Sequence, residues 1–131
     1  MKTPPAVEFI KRKEGEFQAA LSKKKTIKFK DISRKGHHFF LREAWTFMPQ
    51  SNLADDKVFV IERLRKHSTH GKIEYKEFWK KDDIEYRFGY YIVGKNGTKK
   101  GTWTWGQFCP LIPKEDLDEL LKLAKKNGTL L

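Results

Sequence analysis

Ile84, Tyr86, Phe88, Tyr90 and Ile92 fall on alternate positions, with Glu85, Arg87, Gly89, Tyr91 and Val93 between them. A period of two marks a strand whose successive side chains point to opposite faces. Gly94 to Gly101 has no apolar residue and carries an Asn-Gly pair, so it reads as a turn. Trp103 and Trp105 then alternate with Thr102 and Thr104, which predicts a second strand beside the first. Pro110 and Pro113 stop it, because proline cannot donate to a ladder.

The same reading covers the rest of the chain. Thr3-Pro4-Pro5 predicts a helix start, with Thr3 as N-cap and Pro4 as the first helical residue. Ala6, Phe9, Ile10, Phe17, Ala20 and Leu21 then share one stripe, which predicts an amphipathic helix over residues 4–21 despite Lys13 and Gly15. Strands are expected at 26–32, 38–48, 58–66 and 72–80, separated by polar turns. In the second of these, Glu43 shares a face with Phe39, Leu41, Trp45 and Phe47, an awkward place for a carboxylate. Leu117, Leu120, Leu121 and Ala124 recur at helical spacing. Acids open that segment, lysines close it, and Asn127-Gly128 follows as a C-cap, so it is the clearest helix in the chain. The expected fold class is α+β. It has about six antiparallel strands in a meander, as a strongly twisted sheet or half-barrel, with an N-terminal and a C-terminal helix. Both helices are expected to cover one sheet face.

At 131 residues the chain is expected to form one domain, residues 1–131. Aromatic residues at 14% exclude compositional disorder. No run approaches the roughly 20 apolar residues of a membrane span, and no signal-peptide pattern opens the chain. The single cysteine, Cys109, cannot form an internal disulfide. It is expected to be a small buried hydrophobe in a cytoplasmic protein. Net charge is +11. Residues 1–36 carry eleven basic and four acidic side chains, so the excess sits in the N-terminal quarter. Such a chain attracts nucleic acid or another anionic partner without a dedicated site.

Lys28, Lys30, Arg42, Arg63, Arg65, Lys76 and Arg87 each lie opposite the apolar residues of their own predicted strand, with Phe40, Phe59, Phe78 and Tyr91 interleaved. Charge for phosphates and rings for bases are what a single-stranded nucleic-acid surface combines. A non-enzymatic nucleic-acid-binding module is therefore the leading expectation. The competing account is a solvated face on which neighbouring glutamates pair with these bases. Trp103 and Trp105 either line a ligand pocket or pack under the terminal helix. The histidines, His37-His38 and His67-x-x-His70, lack the partners of a zinc site, and no metal or cofactor is expected. Asp56 with Glu74-Tyr75-Lys76 is a loose match to a metal-dependent nuclease pattern, common by chance in a chain that is 34% charged. A protein-interaction or regulatory domain, with an apolar patch on Phe59, Ile61 and Phe78, is the alternative. An enzyme with a small pocket near Trp103, using Glu43, Glu77 or histidine, is the third reading.

Overall fold

The computed structural model describes residues 2–131. The order is α1 (Ala6–Ser22), β1 (Thr26–Lys30), β2 (His37–Pro49), β3 (Lys57–His70), β4 (Ile84–Val93), β5 (Trp103–Trp105) and α2 (Lys114–Lys126). The fold is α+β, with a curled antiparallel sheet whose strands lie in sequence order, β1-β2-β3-β4-β5. Among the described residues the sheet has five strands, where about six were expected. Residues 72–80 alternate like a strand but form a 3-10 turn at Lys76–Phe78, with Tyr75 in left-handed backbone at φ 55°. Their place beside β3 is taken by β4, which pairs with it from Arg65 and Ile84 onward.

The two helices lie on opposite faces, which corrects the expectation that they share one. Phe9 and Phe17 of α1 pack on Phe47, Val58, Val60 and Tyr91. Leu120 and Ala124 of α2 pack on Phe59, Ile61 and Tyr90. These two sets alternate along the same strands, so they point to opposite sides. The centre of β3 is therefore apolar throughout: Val58, Phe59, Val60 and Ile61 are all fully buried. Each such side chain contributes about 1.5–3 kcal/mol relative to exposure.

A β-bulge explains Glu43. The β2–β3 register slips between Arg42 and Ala44, so two successive pairs are Arg42 with Leu64 and Ala44 with Arg63. The extra residue reverses the parity of β2. Trp45 and Phe47 now face α1 with Arg42, and Glu43 faces the α2 side with Thr46 and Met48.

Helix α1 starts at Ala6, two residues later than its proline pair suggests. Pro5 is the N-cap and no side chain caps the helix. Thr3 Oγ1 instead donates to Gly101 O, and Trp103 Nε1 donates to Pro4 O, which ties the N-terminus to the β4–β5 connection. Lys13, the intruder on the apolar stripe, lies 5.4 Å over the Tyr91 ring. Trp103 stacks on Phe9 at 4.7 Å between centroids, and Trp105 meets Tyr91 edge-on at 5.1 Å. The tryptophans thus pack with α1 rather than the terminal helix. Gly89 leaves room for the Trp105 indole, and a Cβ there would overlap it.

Candidate nucleic-acid interface

Four of the arginines predicted to be free are held in two forks. On the α1 face, Glu62 is fully buried and accepts from Arg42 Nε at 2.8 Å and from Arg87 Nε. Arg42 also stacks on Phe17 at 3.7 Å, while Arg87 lies over Phe29 at 4.9 Å and Trp105 at 4.7 Å. On the α2 face, Glu43 accepts from Arg63 Nε at 2.8 Å and from Arg65 Nε at 2.7 Å. Arg63 also donates to the Gly128 carbonyl at the end of α2. Burial pushes the Glu43 carboxyl up, but the hydrogen bonds from Arg65 and Arg63 outweigh it and hold it below the usual carboxylate range. The seven predicted cations therefore do not form one face: Arg42 and Arg87 lie on one side, Arg63 and Arg65 on the other.

One run of unpaired cations follows the edge of the sheet. Lys23, Lys24, Lys25, Lys28, Lys30, Arg34 and Lys35 are all exposed. Among the described residues none of them forms an ion pair. The only acid between positions 23 and 35 is Asp31, which is buried. This ridge runs from the end of α1 through β1 into the β1–β2 turn. Strand β1 pairs only with β2, so its other edge is open. Lysines on an edge strand also block strand-to-strand aggregation. That role does not extend to Lys23–Lys25, Arg34 and Lys35, which lie outside the strand.

Just inside the ridge, on the α1 side, the sheet is uncovered. A cavity of about 300 Å³ there is lined by Phe29, His38, Phe40, Leu64, Lys66, Glu85 and Arg87, among others. A second, of about 280 Å³, shares His38 and Lys66 and is walled by Tyr75, Phe78 and Trp79. Together they make a groove with aromatic walls. Phe78 is 72% exposed at its rim. The alternation of β1 directs Phe29 into this groove and Lys28 and Lys30 to the opposite side.

Asp31 joins the two loops at this end. Its carboxylate accepts from the backbone N–H of Ser33 and of Glu74 and contacts His38 Nε2. The Glu74 N–H and then His38 hold its pKa well below the usual 3.8. A carboxyl depressed on folding lends stability that is complete above its unfolded pKa and is lost as pH falls through the folded one. Asp31→Asn should therefore lower stability at neutral pH and flatten its acid limb below about pH 4, the unfolded carboxylate range. Urea midpoints measured across acidic pH check this.

The other predicted residues scatter. Lys76 donates to Thr69 Oγ1 and lies 5.0 Å over Trp79, on the groove side. Asp56 and Glu74 flank opposite ends of β3, so the nuclease pattern does not converge. Glu43 is held by arginines and Glu77 is exposed. All four histidines lie at the ridge end of the sheet, with His37 directly opposite His70. Among the described residues no group of three His, Cys, Asp or Glu could hold a metal ion. Cys109 is exposed, against expectation, in a loop where Phe108 and Leu111 are exposed too. Phe59 and Ile61, offered as an apolar interaction patch, are covered by α2. No helix among the described residues is long and apolar enough to cross a membrane. The sequence signal for the ridge was its dense lysine run; the groove had none, because it depends on which half of the sheet α1 leaves open. Comparisons of the chain with protein-family models, with curated proteins and with solved structures find no match.

Proposed function

We propose that this chain is a non-enzymatic module that binds single-stranded nucleic acid along the open edge of its sheet. Phosphates follow the ridge from Lys23 to Lys35, and bases turn over β1 into the groove. The observation that carries the reading is β1 itself, where Lys28, Phe29 and Lys30 put charge on one side and a ring on the other. Of the residues predicted from sequence, Lys28, Lys30 and Lys76 contribute charge, and Arg87, held by Glu62, lines the groove.

Lys24 supports the reading. The N–H groups of Lys24 and Lys25 bond to Leu21 O and Ala20 O, and Lys24 has φ 53°. At the end of α2 the same pattern puts Gly128 at φ 79°. Glycine is the low-cost residue at that position. A lysine there, inside a run of cations, adds charge to the ridge at a cost to helix stability.

Anisotropy of a labelled single-stranded oligonucleotide, titrated at several salt concentrations, tests the proposal. Engagement of the whole ridge gives a log–log salt slope of roughly −5, at ~0.7 per phosphate contact. No binding, or binding insensitive to salt, overturns it.

A further inference from the structure

We infer that the cavity floored by Phe29 and Phe40 takes one unstacked guanine of the bound strand, read at its edge by Glu85 and Lys66. The inference rests on the strand-binding reading above and adds a base preference to it. The cavity, of about 300 Å³, is at the small end of ligand sites, the size for a single nucleoside rather than a longer ligand. Its floor is apolar. Phe29 and Phe40 meet edge-on at 5.4 Å, and the Arg87 guanidinium lies against Phe29. Splayed-out bases stack on such rings and on guanidinium planes.

The rim decides which base. Lys66 Nζ and Glu85 Oε2 stand side by side at 3.7 Å, with the Glu85 side chain half exposed. A pair this loose is worth little and parts readily for a ligand. His38 is already engaged by Asp31. The rim therefore offers a carboxylate beside an ammonium. Guanine presents two adjacent N–H donors, at N1 and the exocyclic amine, next to the O6 acceptor. The carboxylate accepts both donors while the ammonium donates to O6. Adenine and cytosine set a ring acceptor beside their single amino group, which opposes a carboxylate. Uracil flanks its single N–H with carbonyls, which oppose it too.

The test titrates three oligonucleotides: all-uridine, the same with one guanosine, and the same with one inosine, which lacks the exocyclic amine. The guanosine strand should bind about tenfold tighter than all-uridine, the scale of one good bidentate contact. Inosine should lose most of that gain. Glu85→Gln, at an exposed position, should bring the guanosine strand down to the all-uridine level. Equal affinity for the three strands with a persistent salt slope overturns the guanine site and leaves edge binding intact. A guanosine preference that survives Glu85→Gln also overturns it. Absence of salt-dependent binding to any strand overturns the edge reading, and this inference with it.

Discussion

Glu62→Ala should destabilise the protein by about 3–5 kcal/mol, because it strands two guanidiniums in the sheet interior. That is a large share of the ~5–15 kcal/mol that holds a typical domain together. The Glu62 side chain has no exposed surface, and those of Arg42 and Arg87 are only 17% and 27% exposed. Arg42 is sandwiched against Phe17 of α1, and Arg87 against Phe29 and Trp105, so neither can swing into water without breaking aromatic contacts. Replacing all three, as Arg42→Met, Glu62→Leu and Arg87→Met, should cost far less than the single change, since no charge is left without a partner. Urea denaturation of both variants decides the matter. A single substitution no worse than the triple would mean that the fork is not a buried charge network.

Removing the ridge should have the largest effect on binding. Changing Lys23, Lys24, Lys25, Lys28 and Lys30 to glutamine should shrink the salt slope by roughly 3.5, at ~0.7 per lost contact. Folding stability should hardly move, because exposed substitutions usually stay within about 0.5 kcal/mol. The control removes charge elsewhere: Lys99, Lys114, Lys122, Lys125 and Lys126 to glutamine. If both variants lose slope equally, bulk charge rather than the sheet edge drives association. Lys24→Gly alone separates the two properties. It should raise stability by about 1 kcal/mol, by relieving a left-handed lysine, while reducing the slope by roughly 0.7.

Much of the architecture was legible because separate signals agreed. In α2, leucine spacing, acids at the start, lysines at the end and Gly128 all pointed to one helix. In β4 the alternation of Ile84, Tyr86, Phe88, Tyr90 and Ile92 was complete. The failures have physical causes. Ile73, Tyr75 and Trp79 alternate, but Tyr75 turns left-handed, and the Lys66 backbone bonds to Asp82 and Asp83 instead. Pattern reading assumes an unbroken pleat, so the bulge at Glu43 could not be seen. The uninterrupted Val58-Phe59-Val60-Ile61 run did carry the information that β3 is buried on both faces. Alternation alone hides it and leaves both helices on one side. That error also made the arginines look free. Once each sheet face has its own helix, a carboxylate on each face holds the arginines there, Glu62 fully buried on one and Glu43 half-buried on the other. The proposed interface then moves to the run from Lys23 to Lys35, where cations outnumber acids and form no ion pair among the described residues.

A strand enclosed by a helix on either side has no independent way to open. The Val58–Ile61 amides can exchange with solvent deuterium only when the whole molecule unfolds, so their protection should equal the global stability. Strand β1, with one neighbour and a bare outer edge, should exchange through small local openings at far lower cost. The protein would then be most rigid along β3 and most yielding at the edge proposed to bind nucleic acid. Hydrogen exchange followed residue by residue should give that gradient from β3 to β1.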